Sequence, residues 1–385
     1  MVFKKLFLYI LSILLFNVYA SVSKEHTGEL LYRFKESLRK SDSSSNIYQI
    51  YRPLKNNLAE ETLEKVRQKM IQSDQFEFVV YNTVEKPLIN LQPNGNSFSQ
   101  WHHNNIKTKS AWKVTQGSSQ VVVAVCDSGL EHEHSAFKNK TAPGWNFRTN
   151  NRDTSPQTTH GTFVAGIIAG TPEKNFTGIA PKIKIMPLVI TNNSGSTTIK
   201  IISDCITYAA DQGAKVINVS FTGINSPVIN AAGKYARDKG SLVVYAAGNR
   251  GKRRSIKTYP DWKSILAVGA TTRSDQRWKW KKMFKQGGSN YGYFIDLVAP
   301  GHNMVSTNAY LTFNKSNPYR KGSGTSYAAP VVSAVAGLVF SLNKNFTPEK
   351  VEQILIESSD IIGSEFVFGA GRVNANRAVE LAISH

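Results

Sequence analysis

Two hydrophobic rhythms divide the chain. Five near-continuous apolar runs lie beyond residue 120: VVVAVC (121–126), KIKIMPLVI (182–190), KVINVSF (215–221), SLVVYAA (241–247) and SILAVGA (264–270). Strands without polar alternation are buried on both faces. Helix-period stretches at 197–212 and 226–239 fall between several of these runs. The pattern predicts an α/β fold, a largely parallel sheet flanked by helices on both faces. Before residue 95 the rhythm changes. TLEKVRQKMIQ (62–72) puts Leu63, Val66 and Met70 on one helical face. FEFVVYNTV (76–84) reads as a strand from its β-branched and aromatic content. LQPNGNS (91–97) then marks a linker. A small α+β module therefore precedes the large sheet domain.

Charge draws the same boundary. The 385 residues hold 47 Lys and Arg against 27 Asp and Glu, a net +20. Residues 21–94 carry 11 basic and 10 acidic groups, whereas residues 95–385 carry 34 and 17, a net +17. The first residues are different again. Lys4 and Lys5 precede the apolar run LFLYILSILLF (6–16), and Ala20 follows shortly. A positive start, a short apolar core and small residues before a cut describe a secretory leader, with cleavage expected after Ala20. An uncleaved anchor is the alternative, and the run is short for a membrane span. The expected organisation is leader 1–20, accessory domain 21–95 and main domain 96–385, working outside the cytoplasm. Only Cys126 and Cys205 are present. The positions of these two do not suggest pairing, and each is expected as a buried free thiol.

Four residues carry candidate chemistry. Asp127 follows the run VVVAVC, His160 begins HGTFVAGIIAG, Asn249 ends VVYAAGN, and Ser326 lies in GSGTSYAAP. Singly, each has an ordinary reading. Asp127 and Asn249 suit turns, Ser326 suits a helix N-cap, and His160 a partly buried helix start. Together they match one chemistry. A Ser hydroxyl needs an adjacent base, His supplies it, and Asp fixes the tautomer of the His. The order Asp, His, Ser is one of three used by unrelated triad folds. An esterase of the α/β-hydrolase type would instead show GxSxG, with Ser preceding its partners.

The segments DSG, HGTFVAG, AAGN and GTSYAAP resemble the signatures of subtilisin-like serine proteases, over roughly residues 98–380. The resemblance implies Asp127 as orienting acid, His160 as base, Ser326 as nucleophile and Asn249 as oxyanion donor. It implies a monomeric, secreted endopeptidase acting on proteins or peptides through an acyl-enzyme. It also implies that the accessory domain is a propeptide, the chain's own inhibitor, with the mature N-terminus expected between Glu85 and Gln100. A catalytically dead binding protein is the rival from another class.

Substrate is expected to lie extended between two backbone segments, Ser194, Gly195 and Ser196 on one side and Ser220, Phe221, Thr222 and Gly223 on the other. Ala246, Ala247 and Gly248 would complete the first pocket. Thr222 stands where relatives commonly have Gly, so a narrower mouth is expected. Arg250 follows the oxyanion Asn; it would repel basic residues before the scissile bond, or else point to water. Tyr327 replaces a Met common in relatives, removing an oxidation site. No cofactor is implied for catalysis. A structural calcium is doubtful, since Ala136 stands where relatives have an Asp and the loop TPEKNFTG is short. Glu131, His132, Glu133 and His134 read as alternation on a solvated loop, with a metal site as the alternative. Finally, 12 basic residues lie between Arg250 and Lys285, and RWKWKKMFK interleaves them with aromatics. That stretch reads as an edge hairpin kept soluble by Lys, or as a surface for anionic polymers or membranes.

Overall fold

A computed structural model describes residues 26–34, 48–52, 60–73, 75–87, 90–92, 99–172, 176–255, 257, 262–283, 285–309 and 318–385. The leader expected at 1–20 lies outside the described residues. The chain falls into two compact units, residues 1–40 with 48–84, and residues 41–47 with 85–385.

In the first unit β1 (His26–Phe34) pairs antiparallel with both β2 (Gln49–Tyr51) and β3 (Phe76–Glu85). The helix Glu60–Gln72 covers them, with Leu30, Leu63 and Val79 buried at the centre. Val66 and Met70 pack on that centre, as the helical period anticipates. Tyr81 donates to Glu64, which also accepts from Arg67, so the polar edge of the helix is tied to the sheet as well.

The second unit contains β4 (Asn90–Gln92), β5 (Val122–Asp127), β6 (Trp145–Asn146), β7 (Lys184–Val189), β8 (Thr197–Thr198), β9 (Val216–Val219), β10 (Leu242–Ala246), β11 (Leu266–Thr271), β12 (Lys279–Lys282), β13 (Lys285–Gly288), β14 (Leu297–Pro300), β15 (Met304–Thr307) and β16 (Tyr319–Ser323). Its central sheet runs β14-β11-β10-β9-β5-β7-β6, parallel throughout the described residues. The helices Ile199–Asp211 and Pro227–Asp238 pack on each other, as do His160–Ala169 and Thr325–Leu342. The sheet lies between these pairs, as the near-continuous apolar runs require. Thr325–Leu342 is long and apolar enough to cross a membrane, but nearly all of it is buried as the core helix of this unit.

Strand order reverses at β5. The chain runs from β5 to the edge strand β6, returns inward to β7 beside β5, then crosses past β5 to β9 and onward to β14. At such a reversal the two outgoing connections diverge and leave a crevice beyond the carboxyl ends of the strands. Asp127 is the last residue of β5 and so sits in that crevice.

The thiols depart from expectation. Cys126 and Cys205 form a disulfide, with their Cα atoms 6.1 Å apart. Cys205 lies on the buried face of the helix Ile199–Asp211, which covers β5 and carries the sulfur to the strand. Helix packing creates the pair, across a sequence separation of 79.

A second buried pair makes the unit sensitive to acid. His102 and His103 are both buried, with ring centroids 4.4 Å apart. His103 Nε2 bonds the Thr177 carbonyl, while neither nitrogen of His102 has a partner among the described residues. Burial pushes both below the ordinary imidazole range, His103 to about 4. Above pH 6.5 neither the folded nor the unfolded chain protonates these groups, so they contribute nothing there. As pH falls from 6.5 toward about 4, only the unfolded chain takes up protons, and stability is lost. His103 alone accounts for a loss of about 3 kcal/mol across that window. His103→Gln should flatten the fall of melting temperature between pH 6.5 and 4; an unchanged slope would rule out this source.

Candidate active site

Asp127 is fully buried at the mouth of β5. Its Oδ1 accepts the N–H of Ser128 at 2.7 Å. His160 Nδ1 lies 2.8 and 2.9 Å from the two carboxylate oxygens. An imidazole that donates from Nδ1 keeps its proton there, so the neutral ring offers Nε2 as an acceptor. Nε2 has no partner among the described residues.

This pairing depends on a close approach. His160 opens the helix His160–Ala169, and a Cβ on Gly161 would lie 2.3 Å from the Gly129 carbonyl. Only a residue without Cβ lets that helix start against the turn after β5. The Ser128 hydroxyl completes the join, accepting the Gly161 N–H and donating to the Thr158 carbonyl.

Ser326 is the second residue of the helix Thr325–Leu342. The dipole and unpaired N–H groups there favour developing negative charge. Ser326 Oγ donates to the Ser220 carbonyl at 3.0 Å, and Ser220 Oγ donates back to the Ser326 carbonyl at 3.0 Å. Behind this clasp, Ser333 donates to Asn218 and Asn218 to Ser220. The His160 ring packs between Phe221, which follows Ser220, and Tyr327, which follows Ser326. Imidazole and hydroxyl thus share one crevice, with the hydroxyl turned to Ser220. Tyr327 is buried without a hydrogen bond to its hydroxyl among the described residues, and burial pushes its phenol well above the ordinary range.

Asn249 is held by its oxygen end. Its Oδ1 accepts both the N–H and the hydroxyl of Thr325, at 2.9 and 2.8 Å. Fixed in this way beside Ser326, the amide can present only its NH2 end as a donor. Gly248 takes φ +103°, and a Cβ there would meet Asn290 Nδ2 at 2.4 Å. Ala246, Ala247 and Gly248 are buried, and the Ala247 carbonyl accepts from Asn290. Asn218, Ser220, Thr325 and Ser333 hold the nucleophile and amide in place. Thr325 belongs to GTSYAAP and Ser220 to an expected binding segment, whereas Asn218 and Ser333 show only as polar residues inside apolar segments.

The two expected binding segments flank a third stretch of chain, residues 85–87. The loop at 194–196 is pinned by Asn192 Oδ1, which accepts the N–H groups of Ser194 and Ser196. A Cβ on Gly195 would lie 3.4 Å from the Pro87 ring. On the other side Pro87 bridges antiparallel to Phe221, and Thr222 N–H reaches the Lys86 carbonyl at 3.4 Å. Farther along, Asn90, Leu91 and Gln92 pair antiparallel with Ser323, Gly322 and Lys321 of β16. Leu88 and Ile89 lie outside the described residues.

This geometry agrees with comparison to known proteins. Residues 118–371 match the model of the subtilase family, Peptidase S8. The chain belongs to the subtilase family. In sequence this subtilase resembles the thermophilic serine proteinase of Bacillus sp. strain AK1, at 32% identity over 372 residues, covering 91% of this chain and 87% of the relative. It is 37% identical to thermitase of Thermoactinomyces vulgaris over 298 residues, covering 75% and 99% respectively. Its fold matches the crystal structure of fervidolysin from Fervidobacterium pennivorans with TM-score 0.72 at 21% identity, covering 93% of this chain and 62% of that one. The subtilase is a serine endopeptidase, as family membership carries.

The remaining predicted groups fall elsewhere. His134 is buried, accepting the Ala136 N–H through Nδ1 and bonding the Pro318 carbonyl through Nε2. His132 bonds Thr154. Glu173 to Asn175 of the neighbouring loop lie outside the described residues. β12 and β13 form the basic hairpin. Arg250 is exposed and lines a cavity of about 600 Å³ with Lys252, Arg277, Lys279, Trp280 and Lys281. Trp278 departs from the surface pattern and is buried in the main core.

Proposed function

We propose that this subtilase is a secreted endopeptidase made as a self-inhibited precursor, with Asp127, His160, Ser326 and Asn249 in the roles of acid, base, nucleophile and oxyanion donor. The observation that carries the reading is the buried Asp127–His160 pair, which leaves His160 Nε2 as an acceptor in the crevice of Ser326. Catalysis requires the Ser326 hydroxyl to leave the Ser220 carbonyl and turn to Nε2. Its oxygen attacks the peptide carbonyl as the proton passes to Nε2, and Asp127 stabilises the imidazolium. Asn249 and the Ser326 N–H hold the tetrahedral oxyanion. The imidazolium then protonates the leaving amine, and water repeats the sequence on the acyl-enzyme.

Secretion is supported by the leader-like N-terminus and by the disulfide, which belongs to an oxidising compartment. The precursor reading is supported by residues 85–92. Lys86 faces Thr222 and Pro87 faces Phe221, so the antiparallel register runs toward Ser220, the residue clasped to Ser326. Beyond the nucleophile, Asn90 faces Ser323. Three peptide bonds fall between these two stretches, and the central one, Leu88–Ile89, is the bond proposed to be cut. An extended chain bound by backbone pairing on both sides is how a strand-adding site holds substrate. The protein purified from culture medium should therefore begin at Ile89 and be labelled at Ser326 by a serine-directed fluorophosphonate. A start outside residues 88–90 would contradict the register. A protein that takes no label would be the dead binding protein.

A further inference from the structure

One contact in this stretch goes beyond backbone pairing. Glu85 is only 1% exposed. A carboxylate withdrawn from water so completely must be met by donors, or its ionised form is too costly. The Thr222 hydroxyl donates to Glu85 Oε2. The same oxygen, Thr222 Oγ1, accepts the Lys86 N–H at 3.4 Å. Thr222 therefore reads a side chain and the backbone beside it at once, which a Gly at this position would not do.

The surroundings fix that hydroxyl and leave room for the acid. Tyr245, from the core strand β10, donates to the Thr222 carbonyl at 2.7 Å and so holds the residue from behind. Gly223 follows with φ +104°. A Cβ there would stand 2.5 Å from Ile199 Cδ1 and 3.4 Å from both the Glu85 carboxyl carbon and the Tyr245 oxygen. A side chain at 223 would thus collide with Ile199, while it would only touch the carboxyl group.

We propose that Thr222 is a specificity-determining residue that selects a carboxylate side chain four residues before the cleaved bond. The preferred substrates are then extended peptides with Glu at that place, and the chain's own Glu85 is the first of them. This rests on the protease reading above and on the register that puts the scissile bond after Leu88.

The test uses the enzyme purified after expression of the full chain. Fluorogenic octapeptides of sequence 85–92 would carry Glu, Gln, Ala or Lys at the first position. A hydrogen bond to a charged group predicts kcat/KM about tenfold higher for Glu than for Ala, with Lys lowest. The readout in variants is the Glu-to-Ala ratio within each enzyme. Thr222→Val keeps the shape without the donor and should bring the ratio near one, whereas Thr222→Ser should retain it. Equal rates for Glu and Ala in the wild type would overturn the inference alone, as would a ratio that survives Thr222→Val. Failure to cut any of the peptides would overturn the Ser326 reading itself.

Discussion

Ser326→Ala should lower peptide hydrolysis by about 10⁶, a magnitude measured on subtilisin, a member of this family, rather than deduced from this chain. The structural consequences should be small. Ser326 Oγ makes one described hydrogen bond, to the Ser220 carbonyl. Losing it costs about 1 kcal/mol, because the stranded carbonyl is buried. The reciprocal bond from Ser220 to the Ser326 backbone survives the change. Full-length Ser326→Ala should thus fold and retain residues before Ile89, since the bond that frees them is cut by the same hydroxyl. His160→Ala should match it, because a Ser hydroxyl without an acceptor stays protonated. Asn249→Ala should be milder, about 10²–10³, a range also taken from subtilisin. Activity loss should be read in kcat/KM on a peptide and precursor state by mass. Residual hydrolysis within tenfold of wild type in purified Ser326→Ala would end the assignment.

The parts of this site legible in the sequence share one property. Asp127, His160, Asn249 and Ser326 each lie at or within three residues of the end of a regular element, and each has a small residue nearby. Gly161 is required by the turn two residues past Asp127, and Gly248 by Asn290; both appear in the sequence as Gly in an otherwise apolar segment. The strands were legible for a similar reason, since burial on both faces erases polar alternation. What stayed hidden depends on contacts across the fold. Ser333 matters because Asn218, 115 residues earlier, lies beside it. Glu85 looks like one of many surface acids until the backbone pairing of Lys86 and Pro87 directs it to Thr222. Trp278 sits in a run that reads as exposed because five of its nine residues are Lys or Arg. Its N–H to the Ala270 carbonyl instead joins it to the carboxyl end of β11 and turns the ring into the core.

The disulfide is the clearest case of a feature set by tertiary packing, and its removal should have the largest effect on stability. Cys126 precedes Asp127, and Cys205 lies in the helix that directly follows the substrate-side loop at 194–198. The bridge therefore ties the strand bearing the acid to the helix behind the binding segment. Closing a loop of 79 residues restricts the unfolded chain by about 4.5 kcal/mol in the chain-entropy view. Cys126→Ala with Cys205→Ala should accordingly lower the melting temperature by roughly 10 °C. Reductant should act differently from mutation. Both cysteines are fully buried, so a thiol cannot reach the sulfurs until the unit opens. Dithiothreitol should leave activity unchanged in the cold and hasten inactivation only near the temperature of unfolding, and the double variant should be indifferent to it throughout. Equal melting temperatures for the double variant and the wild type would mean that the packing of the helix on β5, and not the covalent link, holds these segments together.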